Sequence, residues 1–250
     1  GQLGDYGIRL PWATDGVAVN FGLEYRNESL ELQTDNAFQT GDLTGQGGAT
    51  LPLSGSLNVF ELFAETAIPI VQDGFIKDLS FTTGYRRSFY KTSGNRSYNT
   101  DTYKFGINFA PISDLRFRAS YNRAVRAPNI QELFSTNTVG LDGSNDPCAG
   151  ITITATDYGC RAQGRAIGQR TAANPAGQYN GLLGGNNNLL PEISTTKSVG
   201  VIIQPSFLSR FALTVDYFDI NIDNAIRSFG ADAVLADCVT NSTATSVAPS

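Results

Sequence analysis

The sequence predicts an all-β chain, part of a transmembrane antiparallel β-barrel contributing about seven or eight strands. Three observations predict it. Apolar and polar residues alternate at period two along most of the chain. The alternating stretches run to about 10 residues or more, where soluble strands usually hold about 5–6. Short and long connections alternate, as they do in outer-membrane barrels, whose periplasmic turns are short and extracellular loops long.

Between Gly16 and Arg26, Val17, Val19, Phe21, Leu23 and Tyr25 share one face, and Ala18, Asn20, Gly22, Glu24 and Arg26 the other. The same alternation puts Leu79, Phe81, Thr83 and Tyr85 opposite Ser80, Thr82, Gly84 and Arg86. It puts Tyr103, Phe105, Ile107 and Phe109 opposite Thr102, Lys104, Gly106 and Asn108. Leu115–Arg126 and Phe211–Tyr217 repeat the pattern, with weaker strands near Val59–Ile70 and Lys197–Gln204 and a partial one before Leu10. Short turns rich in Pro, Gly or Asp fall at Pro11–Gly16, Val71–Lys77, Ala110–Asp114 and Gln204–Arg210. Between them lie the long Gln33–Ser54, the shorter Thr92–Ser97, and a very long loop over 128–193.

A soluble sandwich would bury the apolar faces against each other, whereas a membrane barrel turns them to lipid. Strand length, the alternation of connections, and whole charges on the polar faces favour the barrel. Glu24, Arg26, Arg86, Arg116 and Arg118 are expected to face a watery lumen. Tyr25, Tyr85, Phe89, Tyr90, Tyr121 and Tyr217 lie near strand ends, where interfacial girdles form. Arg123 falls on the lipid-facing register and is expected to snorkel to the outer interface.

Composition narrows the function. The net charge of -5 offers no basic field for nucleic acid. With His at 0, the usual imidazole base and the commonest metal ligand are missing, so no catalytic residue, metal or cofactor is expected. Met at 0 excludes residue 1 as a native start, and the chain is expected to be a portion of a longer protein.

Three segments carry a family likeness. RAPNIQELF (Arg126, Ala127, Pro128, Asn129, Ile130, Gln131, Glu132, Leu133, Phe134) follows directly on the strand that begins at Leu115. Pro128 lacks an N–H and ends the ladder, and Asn129 is placed to cap a short helical turn. Downstream, GNNNLLPE runs from Gly185 and Asn186 through Leu189 to Pro191 and Glu192, ahead of the strand at Lys197. DYFDINIDNAI occupies 216–226. These resemble the SRAPNIQELF, GNPNLKPE and DYFDIDIDDAI elements of TonB-dependent outer-membrane receptors, with Asn187 and Leu190 departing from the usual Pro and Lys.

The resemblance implies 1–250 to be part of such a receptor's β-barrel domain, in a bacterial outer membrane. The family's plug domain and TonB box are not found in these residues. It implies no enzyme, but an active transporter or receptor for a scarce nutrient: a siderophore-type ligand, cobalamin or an oligosaccharide. Its partners would be that small-molecule or oligosaccharide ligand, the lipid bilayer, and the TonB complex through the plug. A passive porin-like or adhesin barrel, and a soluble carbohydrate-binding module, are the alternatives.

The loop over 128–193 is extracellular on this reading, and its 135–190 portion is the expected ligand contact. Cys148 and Cys160 lie within it, and an oxidising compartment permits their disulfide. A metal pair is the rival, with neither His nor a third Cys nearby. Cys238 is expected to pair with a residue beyond Ser250. The arginines of the polar faces are expected to pair with Glu24, Glu61 or Glu65, or else to meet the plug or an anionic substrate.

Overall fold

The computed structural model describes residues 1–246. Seven strands form one antiparallel sheet: β1 (Ala18–Leu32), β2 (Leu53–Gln72), β3 (Asp78–Thr92), β4 (Ser97–Ile112), β5 (Leu115–Arg126), β8 (Glu192–Ile203) and β9 (Leu213–Asp223). The intervening β6 (Thr138–Gly143) and β7 (Tyr179–Leu183) pair separately as a hairpin. The large sheet runs in the order β1-β2-β3-β4-β5-β8-β9, so every neighbour is also the next of these strands along the chain. Such a meander needs only local pairing, except where β5 finds β8 across the long loop.

Observed strands exceed the expected ones at most ends. β2 extends over 20 residues and β4 over 16. The hydrophobic alternation fades where both faces turn polar, but the backbone ladder continues. The partial strand expected before Leu10 is instead a 3-10 turn over Leu3–Tyr6, with a single bridge from Gln2 to Ala18. Pro11 and the left-handed Gly7 (φ 81°) break extended structure there. At the tight β3–β4 turn, Asn95 takes φ 59°, a conformation Asn tolerates.

The register fixes the faces. Phe60 pairs with Phe89, Tyr85 with Tyr103, Phe105 with Tyr121, Phe109 with Phe117 and Val199 with Tyr217. All of these share the apolar face, along with Phe21 and Leu23, which are 80% and 71% exposed. Rings on neighbouring strands touch along it: Phe81 with Phe105 at 6.4 Å, Tyr103 with Tyr121 at 6.1 Å and Phe109 with Phe117 at 6.2 Å.

On five strands the apolar run of this face ends on a tyrosine: Tyr25, Tyr85, Tyr103, Tyr121 and Tyr217. The next residue on the same face is then polar: Asn27, Arg87, Asp101, Arg123 and Asp219. Tyr90 does not belong to this line. It pairs with Tyr98 and Val59 on the opposite face, where it is buried and stacks on Tyr98 at 4.9 Å. Phe89 and Tyr90 are consecutive, so a strand cannot send both to one side.

Inside the sheet, glycines make room for ion pairs that skip a strand. Lys104 of β4 crosses Gly84 of β3 to reach Glu65 of β2 at 2.8 Å. A Cβ on Gly84 would lie 2.9 Å from the Lys104 side chain. Arg118 of β5 likewise crosses Gly200 of β8 to form a two-pronged pair with Asp216 of β9, at 2.9 and 2.6 Å. Gly84→Val should displace Lys104 from Glu65 and cost about 1–3 kcal/mol through crowding and the lost pair. The unfolding midpoint of the detergent-solubilised chain checks this, and an unchanged midpoint would show the lysine simply moving aside.

Candidate functional site

Two regions hold the residues singled out by sequence: the polar face of the large sheet, and a compact unit formed, among the described residues, by 31–54, 131–187 and 227–246.

On the polar face, Arg86 stands at 2.7 Å from Glu61 and 3.7 Å from Glu24, with its guanidinium 4.9 Å above the Phe63 ring. Glu61 is buried and also accepts a hydrogen bond from Ser88 at 2.5 Å, so its charge is doubly met. Arg26 pairs with Glu24 and Glu28. Charge pairing thus takes most of the expected arginines, but not with the expected partners throughout. Arg118 takes Asp216, Glu65 takes Lys104, and Arg116 forms no ion pair among the described residues. An open groove of about 420 Å³ runs along this face, lined by Arg26, Glu61, Arg86, Thr100 and Lys104. Among the described residues, the buried Thr100 and Tyr98 hydroxyls have no hydrogen-bond partner.

The three sequence motifs come together at one carboxylate. Arg126 opens the first motif and Glu192 closes the second, and the two are paired in register across β5 and β8. The Arg126 guanidinium meets Glu192 Oε2 at 2.6 Å, and Glu192 Oε1 accepts the backbone N–H of Ile226, the last residue of the third motif, at 2.7 Å. β5 ends at Arg126, Pro128 is fully buried, and Ala127 packs on the cluster of Leu57, Val59 and Tyr90. Leu189 accepts a bond from Arg96, and Pro191 leads into β8. Glu192→Gln should cost about 1–2 kcal/mol by weakening one charge-assisted bond and the acceptor of another. It should also speed proteolytic cleavage within 135–190; cleavage at the native rate would show that the backbone ladder alone closes the loop.

The RAPNIQELF segment forms the short helical turn α2 (Ile130–Phe134), with Leu133 buried. The Asn186 N–H donates to the Glu132 carbonyl and the Gly185 N–H to the Ser135 carbonyl, both at 2.8 Å. Gly185 lies so close to the Leu133 backbone that a Cβ there would clash. The α1 turn (Asn36–Thr40) is capped by Asp35, which accepts the Phe38 N–H at 2.9 Å.

The long loop is folded rather than structureless. Besides the β6–β7 hairpin it contains α3 (Tyr158–Ala162), and a longer helix, α4 (Ala231–Asn241), packs against α3. Cys148 and Cys160 are disulfide-bonded, with Cα atoms 5.6 Å apart, and enclose the buried Ile153. The bond ties α3 to the preceding strand-less segment, and the hairpin lies outside it.

The expectation that Cys238 pairs with a residue beyond the chain meets a physical obstacle. It is a free thiol buried on α4, 1% exposed, with Gln163 donating toward its sulfur at 3.9 Å. Gly159 permits this burial, because a Cβ there would strike the Cys238 carbonyl.

Asp232, in the first turn of α4, was not anticipated. It accepts from the Ser144 hydroxyl at 2.5 Å and from the Ser144 and Asn145 N–H groups, both at 2.9 Å. These bonds, the Ser144 hydroxyl foremost, hold its carboxyl below the usual aspartate range. With the folded value depressed, its stabilisation is complete above the ordinary carboxylate range and is lost as pH falls through the folded value. Relative to the intrinsic exchange rate at each pH, the protection of the Ser144 and Asn145 amides should therefore fall in acid, and Asp232→Asn should remove that fall.

A long-stranded antiparallel sheet with one continuous apolar face, one charged face and elaborated connections at one end defines a wall of an outer-membrane-type β-barrel. The family model described as TonB dependent receptor-like, beta-barrel matches residues 2–248, and the chain belongs to that family. Comparison with curated proteins returns no match. Comparison with solved structures returns none either. The family consists of bacterial outer-membrane receptors and transporters rather than enzymes.

Proposed function

We propose that this chain forms part of the barrel wall of an active importer in the outer membrane, taking up a scarce small nutrient. The observation that carries this reading is the tyrosine line. It closes an apolar face too large and too exposed for a water-soluble surface, with Val199 at 57% and Tyr217 at 70% exposure. The apolar face meets lipid, and the face carrying Glu24, Arg26, Arg86, Arg116 and Arg118 meets the lumen.

The long connections, ending in the loop over 128–193, then lie outside the cell. Its 135–190 portion, stiffened by the disulfide and the Arg126–Glu192 clasp, contacts the ligand. Ligands that suit such a wall are a ferric siderophore, cobalamin or an oligosaccharide, held by hydrogen bonds and charge and released without any bond being made or broken. Coupling to the TonB complex runs through the family's plug and TonB box. Nothing in the structure favours a passive barrel or a soluble sugar-binding module, and the exposed apolar face opposes the latter.

In buffer without detergent the chain should aggregate through its apolar face and its open edges on β1 and β9. In micelles it should give a single species by light scattering and bind one of the three ligand classes. A monodisperse monomer in plain buffer would overturn the membrane reading. Micellar monomers that bind none of the three would overturn the ligand assignment alone.

A further inference from the structure

The ion pairs of β1–β4 also decide what the groove on the polar face can hold. Alternation and register bring Glu61, Phe63 and Glu65 of β2, Arg86 of β3 and Lys104 of β4 to one side, and with Arg26 of β1 they line the groove of about 420 Å³. Each of its three inward cations already has a carboxylate. Arg26 stands 2.8 Å from Glu28 and 3.2 Å from Glu24, Arg86 2.7 Å from Glu61, and Lys104 2.8 Å from Glu65. Arg26, Arg86 and Lys104 thus face Glu24, Glu28, Glu61 and Glu65, and this wall carries no surplus of positive charge.

An anionic chelate would have to break one of these pairs or lie beside like charge. A hydroxyl group fits differently, because it donates one hydrogen bond and accepts others. A half-exposed pair such as Lys104 and Glu65 offers it both partners at one place. The Arg86 guanidinium is held in position, 4.9 Å above the Phe63 ring, whose tip lies over Gly22. A Cβ on Gly22 would stand 2.6 Å from that ring. Uncharged groups complete the wall. The Thr102 hydroxyl makes no hydrogen bond among the described residues, and Asn122 donates to Ser120 while its carboxamide oxygen accepts none from them.

We propose that this groove binds a neutral polyhydroxylated solute, an oligosaccharide, and discriminates against anionic iron chelates and acidic sugars. The assignment rests on the membrane reading above, which turns this face to the lumen, and it narrows the ligand classes to one. Sugar hydroxyls donate to the exposed carboxylates of Glu28 and Glu65 and accept from Arg26, Arg86 and Lys104. Thr102 and Asn122 supply the remaining neutral contacts. Selection comes from the carboxylates, which repel an anion without weakening a hydroxyl.

The test offers maltotetraose, cellotetraose, tetragalacturonate and a ferric tris-catecholate to the whole chain in micelles and measures bound ligand by equilibrium dialysis. Native chain should bind one of the neutral tetrasaccharides roughly tenfold more tightly than either anion. Glu28→Gln/Glu65→Gln removes two carboxylates and frees Lys104. It should tighten tetragalacturonate binding roughly tenfold and change the neutral sugar by less than about threefold. Thr102→Val/Asn122→Ala should weaken the neutral sugar roughly tenfold, with a monodisperse micellar peak showing that the fold is kept. Preference of the native chain for either anion would overturn the assignment. So would an unchanged preference in the glutamate variant, or native sugar binding by Thr102→Val/Asn122→Ala. Binding of neither neutral sugar by a monodisperse micellar chain would overturn it while leaving the membrane reading intact. A monodisperse monomer in plain buffer would remove both.

Discussion

Because a β-strand sends successive side chains to opposite faces, the register of each antiparallel pair decides which face every residue of the next strand occupies. Here one continuous ladder carries that decision from β2 through β9. The ion pairs of the polar face, the ring contacts of the apolar face and the tyrosine boundary are all consequences of it. In a hydrocarbon setting the same ladder satisfies the backbone polar groups, which no other arrangement of extended chain could do.

The loops depend on the ladder at one place above all. β5 and β8 are adjacent in space but separated by a long insertion, so their pairing carries the loop-closure cost of the fold. Arg126 and Glu192 occupy the last rung before the chain departs, and Ile226 is drawn to the same carboxylate. A charged, hydrogen-bonded node at that rung fixes where the inserted segment leaves and returns. Within the insertion, the disulfide and the buried Ile153 give the α3 segment a small core that its Gly- and Asn-rich composition would not provide.

The large sheet was readable in the sequence because period two is long-lived there: β5 begins and ends where the alternation does. The family motifs were readable as well, yet their meeting at Glu192 was not, since 66 residues separate Arg126 from its partner. Strand ends were underestimated where both faces are polar, as over Ser97–Thr102. The facing of Tyr90 was misread because a tyrosine near a strand end looks the same in sequence whichever side it takes, and only the register with Tyr98 decides. The internal structure of the long loop had no periodic signal. Its hairpin strands are 6 and 5 residues long, and its α3 helix is 5. The acceptor role of Asp232 links positions 88 apart and left no local trace.

The glycines beneath the strand-skipping ion pairs also bear on how the sheet assembles correctly. A strand that mispairs by two residues keeps its faces and so escapes the usual hydrophobic penalty. If β8 slipped by that amount, Ser198 or Ile202 would replace Gly200 beneath Arg118 and Asp216, and the clasp could not close. The same slip in β3 would bring Thr82 or Arg86 to the place of Gly84, between Lys104 and Glu65. Each glycine therefore acts as a proofreading notch, admitting a bridge only when three strands are aligned.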